Sequence, residues 1–166
     1  LMAWPAPKGE IITFHGYGKT GRERFPKMLR ERGLDLSKYP RIKAMEFIDQ
    51  MHLYLAAADL VISRAGAITI SELEAVGAPS ILVPYPYAAE NHQYHNGMVL
   101  QNAGAALVVE EKDYQKEWLI GEVEKFVRDP ERVKTFSENA RKLAVTDTCA
   151  RIGASIQRTM AARGKG

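Results

Sequence analysis

The chain has 166 residues, 46% apolar and 26% charged, with a net charge of +3 and a single cysteine, Cys149. That is enough sequence for one domain with a real core, and it excludes both a disordered chain and a disulfide-stapled one. The basic excess is small and mixed with a similar number of acids, so it argues against a nucleic-acid partner, and no apolar run reaches the roughly 18–20 residues of a membrane span.

In chain order, short apolar runs alternate with helical stretches. EIITFHG (residues 10–16) reads as a strand and RERFPKMLRERG (22–33) as a helix stopped by Gly33, with Pro26 near its start. RIKAMEF (41–47) is a second strand, MHLYLAAA (51–58) a short helix and DLVISR (59–64) a third strand. AITISELEAVG (67–77) is a helix closed by Gly77, PSILVPYP (79–86) a fourth strand, NHQYHNGMVLQNAG (91–104) a helix closed by Gly104, and AALVVEE (105–111) a fifth strand. From QKEWLIGEVEKFVRD (115–129) onward the chain is helical, broken near Pro130, with one or two helices across 140–162. Trp118 and Phe126 share a face of the first of these, which reads as core.

Strands separated by helices of this length imply parallel pairing. The expected fold class is therefore α/β, a Rossmann-like doubly wound, mostly parallel sheet flanked by helices, in a single domain spanning 1–166 with C-terminal helices from about 115 packed on it. DLVIS and SILVP are continuously apolar, as in strands covered on both faces. Such sheets bind ligands in the crevice beyond the strand C-termini, which selects residues 15–19, 47–49, 63–67 and 84–93.

The third of these loops carries the most chemistry. The helix after it opens on small residues, so the N–H groups of Ala67, Ile68 and Thr69 are expected to face the crevice, where the helix dipole favours an anion. Thr69 and Ser71 offer hydroxyls, and Glu72, one turn further on, suits a sugar diol. An anion beside a diol describes a nucleoside diphosphate. The same residues also fit tight packing and simple dipole matching, and neither a G-x-G-x-x-G nor a G-x-x-x-x-G-K-[ST] fingerprint is expected in support. Arg64 fits a phosphate partner or a tie between loops through Asp49 or Asp59. His15 and Lys19 lie at the end of the first strand. His92 and His95 share a helix face, but with no third ligand in view no metal site is expected.

The segment ADLVISRAGAITISELEAVGAPSILVPYPYAAENHQYHN (58–96) resembles the donor-binding region of the MurG family, the UDP-N-acetylglucosamine transferases that make lipid II for bacterial peptidoglycan. S-R-A-G-A, S-E, G-x-P, V-P-Y-P and N-H-Q-x-x-N follow one another at the family's spacing, and the resemblance extends from about residue 10 to the final helices. It implies one half of a two-domain GT-B glycosyltransferase, the half that holds the sugar nucleotide. By that resemblance the backbone of Ile48 meets the uracil, Ala67, Ile68 and Thr69 the diphosphate, and Glu72 the ribose. His92 and Gln93 face the N-acetylglucosamine, with Asn96 behind them, and Arg64 belongs to the same donor site.

The Gly-Gly-Ser loop that opens this half in the family has no counterpart here, and the acceptor half is missing, so the chain alone is expected to be inactive. The resemblance further implies no cofactor, a lipid-linked acceptor as partner, and a cytoplasmic enzyme peripheral at the inner face of the bacterial membrane. The start at Leu1 is expected of a piece of a longer polypeptide. A separate donor-binding subunit that requires a partner chain, and a sugar-nucleotide epimerase of the same architecture, are the alternatives. The epimerase ranks last, because Glu72 and Glu90 are the only carboxylates near the sugar.

Overall fold

The computed structural model describes residues 11–163. The chain divides into two compact units, Leu1–Met51 and His52–Gly166.

In the first unit, β1 (Thr13–Gly16) pairs in parallel with β2 (Ile42–Met45), with Thr13 opposite Ile42 and Gly16 opposite Met45. A parallel pair needs a crossover, and α1 (Gly18–Glu31) supplies it. The helix docks through Phe25, whose ring is stacked 5.0 Å from His15 and 4.9 Å from Tyr17. It starts four residues earlier than expected, so Pro26 lies inside the helix rather than near its beginning. A 3₁₀ turn at Leu36–Lys38, capped by the Asp35 side chain, leads into β2.

Contrary to the expectation of no G-x-G-x-x-G, the β1–α1 junction carries that spacing, at Gly16, Gly18 and Gly21. Its geometry accounts for Gly18 and Gly21 without a ligand. Gly18 has φ +68°, and a Cβ on Gly21 would sit 2.9 Å from the Tyr17 Cβ. The Tyr17 and Gly18 N–H groups donate to the Met45 and Glu46 carbonyls at 3.0 and 2.9 Å, so a phosphate would have to compete for them.

Burial against this stack lowers the pKa of His15 from its usual 6.5. The unfolded chain therefore takes up a proton before the folded one does. Stability is expected to be constant above about pH 7 and to fall as the pH drops below 6.5 toward the lowered folded value. His15→Phe keeps a ring against Phe25 and should flatten that fall. Denaturant melts at pH 5 and pH 7.5 check it, and an unchanged acid slope in the variant would remove His15 as the cause.

The second unit holds three parallel strands in the order β3-β4-β5, namely Val61–Ser63, Ser80–Leu82 and Ala106–Val108. Its helices are α2 (Met51–Ala57, begun on the last residue of the first unit), α3 (Ala67–Val76), α4 (His92–Asn102), α5 (Lys116–Arg128), α6 (Pro130–Leu143) and α7 (Thr148–Arg163). The α/β class with parallel strands flanked by helices is as expected. The single sheet is not: strands of three or four residues form two separate ladders, β1-β2 and β3-β4-β5.

Central β4 is fully buried, and its side chains feed two cores. Leu82 joins Ala65, Ile70, Leu73 and Leu100, while Ile81 joins Leu119 and Phe126, with Trp118 packed alongside. Edge strand β3 departs from the expected double cover, since Ile62 is 39% exposed. Pro130 marks a start as well as a break: it opens α6, and the Asp129 carboxylate accepts from the Arg132 N–H at 3.0 Å as the cap.

Helices α3 and α4 stop by the same device. After α3, the Gly77 N–H reaches the Glu74 carbonyl and the Ala78 N–H the Leu73 carbonyl, with Gly77 at φ +68°. After α4, Gly104 and Ala105 repeat the pattern on Gln101 and Leu100. This Schellman ending places Leu73 against Ala78 and Leu100 against Ala105, all four in the core. It fixes where each helix begins relative to the strands and hence what the helix start presents.

Candidate functional site

The site is built on the start of α3. Gly66, in extended conformation (φ −67°, ψ 147°), precedes the helix and has no side chain to cap it. The first helical hydrogen bond runs from the Ile70 N–H to the Gly66 carbonyl at 2.9 Å. The N–H groups of Ala67, Ile68 and Thr69 therefore have no acceptor within the helix, and their partial positive charge faces outward.

Buried Ile70 and Leu73 anchor one side of α3. The other side is open. Ala67, Ile68, Ser71, Glu72 and Ala75 line a shallow, solvent-open depression of about 410 Å³ on one face of the helix. Ile68 is 78% exposed, so an apolar side chain stands at its mouth. Glu72 is exposed, with no hydrogen-bond or ion-pair partner among the described residues, so its carboxylate is available to a donor from outside. A ligand with an anion at the helix start and hydroxyls one turn along would satisfy both groups.

The loop between β4 and α4 flanks this region and is braced from several sides. The Asn96 amide donates to the Ala65 carbonyl at 3.2 Å, tying α4 to the residue before Gly66. The Gln93 Oε1 accepts from the Tyr85 N–H at 3.0 Å, which leaves its Nε2 without a partner among the described residues. The His92 Nδ1 lies 2.8 Å from the Ala89 carbonyl and must carry the proton there, so a neutral ring keeps Nε2 as an acceptor. Glu90 and Asn91, at φ 49° and 54°, are both left-handed. Asn adopts that conformation readily, but for Glu it costs about 1–2 kcal/mol, so the surrounding contacts over-determine this turn.

Arg64 ties loops, through different partners from those expected. Its Nη1 donates to the carbonyls of Val83 and Pro84 at 3.1 and 3.0 Å, and its Nη2 lies 3.3 Å from a Glu111 oxygen. The guanidinium also stands 5.6 Å from the centre of the Tyr85 ring.

Arg64, Ala67, Ile68, Thr69, Glu72, His92, Gln93 and Asn96 all lie in the second unit, and of these Ala67, Ile68 and Glu72 line the depression. Ile48 belongs to the first unit, is 9% exposed, and faces the Cβ direction of Gly16. Sequence reasoning missed Ala75, although the spacing 67, 71, 75 along one helical face would have found it. It also missed Glu111, for which no local pattern exists. Among the described residues no group of three metal-ligating side chains comes together. None of the described helices is long and apolar enough to cross a membrane.

This geometry sits on a chain whose residues 8–152 match the glycosyltransferase family 28 C-terminal domain. The chain belongs to that family. Relatives of this family 28 domain include an enzyme of Desulforamulus reducens named UDP-N-acetylglucosamine--N-acetylmuramyl-(pentapeptide) pyrophosphoryl-undecaprenol N-acetylglucosamine transferase. It is 41% identical over 129 residues, covering 78% of this chain and 35% of that protein. The protein of the same name from Coxiella burnetii is 37% identical over 167 residues, covering 98% of this chain and 44% of its own length. The chain therefore spans less than half the length of these relatives. Among solved structures, Acinetobacter baumannii MurG superposes with a TM-score of 0.71 at 25% identity, over 87% of this chain and 42% of that one. The glycosyltransferase VinC, solved with dTDP, superposes with a TM-score of 0.58 at 19% identity, over 80% of this chain and 32% of that one, a likeness of fold.

Proposed function

We propose that the 166 residues act as the donor-binding domain of an inverting glycosyltransferase that moves N-acetylglucosamine from UDP-N-acetylglucosamine to a lipid-linked muramoyl-pentapeptide. The observation that carries this reading is the uncapped start of α3 opening into a depression with Glu72 one turn along, on a family 28 chain. The Ala67, Ile68 and Thr69 amides hold the diphosphate, Glu72 the ribose hydroxyls, and Gln93 with His92 the sugar.

In transfer, the acceptor hydroxyl attacks the anomeric carbon from the face opposite the diphosphate, the C1–O bond to phosphate breaks, and charge accumulates on the departing UDP. Amides fixed at a helix start stabilise that charge without having to reorganise. The acceptor site and the group that takes the hydroxyl proton belong to the part of the enzyme outside this chain. That whole enzyme works on the cytoplasmic face of the membrane, where its lipid-linked acceptor is held.

Ala67→Pro tests the reading. Proline at the first helical position removes one amide and leaves the helix intact, and the extended Gly66 already has the conformation a pre-proline residue requires. Calorimetry should show UDP bound about tenfold to a hundredfold more weakly, as for one lost charge-assisted hydrogen bond, with an unchanged melting temperature. Equal UDP affinity in a folded variant would remove the amides from the site.

A further inference from the structure

Arg64 has the chemistry of a phosphate ligand, yet its hydrogen bonds point elsewhere. It directly follows β3, its carbonyl partners Val83 and Pro84 directly follow β4, and Glu111 lies three residues beyond β5. These are the three neighbouring strands of one ladder, so a single guanidinium spans the whole C-terminal edge of that sheet. Beyond Pro84 the chain is gripped again: the Tyr85 ring lies under the same guanidinium, and the Tyr85 N–H is held by Gln93. A planar fork reaches two carbonyls and a carboxylate at once, which a lysine ammonium on a flexible stem does not.

We infer that Arg64 and Glu111 form a positioning pair that sets the loop from Tyr85 to His92, and through it the sugar side of the site, with Arg64 serving as a clamp and not as a diphosphate ligand. Glu111 holds the guanidinium on the two carbonyls; without it, Arg64 is free to swing away and the loop loosens. The inference rests on the donor-binding reading for its effect on ligand affinity, but not for its effect on the loop.

The experiment uses the 166-residue chain with Arg64→Lys and Glu111→Gln, measured two ways. Hydrogen exchange of the unliganded protein should rise at the amides of residues 85–92 in both variants and stay at the wild-type level in α5 and α6. Unchanged exchange at 85–92 overturns the clamp, as does a rise spread equally over the whole unit.

In calorimetry, both variants should weaken UDP-N-acetylglucosamine about fivefold, the scale of one half-exposed ion pair with its hydrogen bonds, and leave UDP within about twofold. A direct phosphate ligand predicts the opposite pattern: Arg64→Lys would cost UDP as much as the sugar nucleotide, and Glu111→Gln, by freeing the cation, would leave both unchanged or tighter. Either result overturns the inference. If the wild-type chain binds neither ligand, the donor reading is what fails, and the exchange measurement alone decides the clamp.

Discussion

Glu72→Ala is expected to lower the affinity for UDP about tenfold to a hundredfold, the scale of losing one or two hydrogen bonds to an ionised carboxylate. The side chain is exposed on the outer face of α3 and packs into no core, so the melting temperature should move little. Calorimetry with UDP and its 2′-deoxy analogue makes the test specific. A carboxylate that accepts from both ribose hydroxyls distinguishes the two ligands, and removing it should bring their affinities together. A variant that binds UDP like the wild type, or that keeps the wild-type preference for the ribose form, takes Glu72 out of the proposed role.

Gly77→Val should have the largest effect on stability. Two independent costs act at this residue. The left-handed φ of +68° disfavours any side chain by about 1–2 kcal/mol, more for a β-branched one. A Cβ there would also come within 2.5 Å of the Arg141 Cγ, displacing a side chain whose Nη2 donates to the Val76 carbonyl at 3.2 Å. Together these are worth about 2–4 kcal/mol. A urea melt should show a lower midpoint with an unchanged slope, and a midpoint within error of wild type would contradict the cap geometry.

Much of the fold was legible because its signals are local. Gly77 and Gly104 stop helices where the chain's pattern says they should, and the apolar run at 80–82 is a fully buried central strand. The start of α3 was legible for the same reason: a strand, a run of small residues and a helix follow one another without interruption. Long-range features were not. Arg64 bonds to residues 19, 20 and 47 positions away, and a sequence pattern cannot say which of several acids or carbonyls will be nearest. The splitting of the strands into two ladders depends on pairing between short segments, where few bonds favour one register or partner over another. Gly18 and Gly21 illustrate the converse: two positions of a spacing with a known meaning are here explained by a left-handed φ, a stacked tyrosine and amides donated to β2 and the residue that follows it.

The division of labour on α3 has an evolutionary consequence. Ile70 and Leu73 hold the helix to the protein, whereas Ala67, Ile68, Ser71, Glu72 and Ala75 meet whatever occupies the depression. The two sets share ten residues of backbone but no side chain. Selection can therefore exchange Ile68, Ser71 or Ala75 and so change the chemistry of the depression while thermodynamic stability drifts by only about half a kcal/mol, by single steps that never pass through an unfolded intermediate.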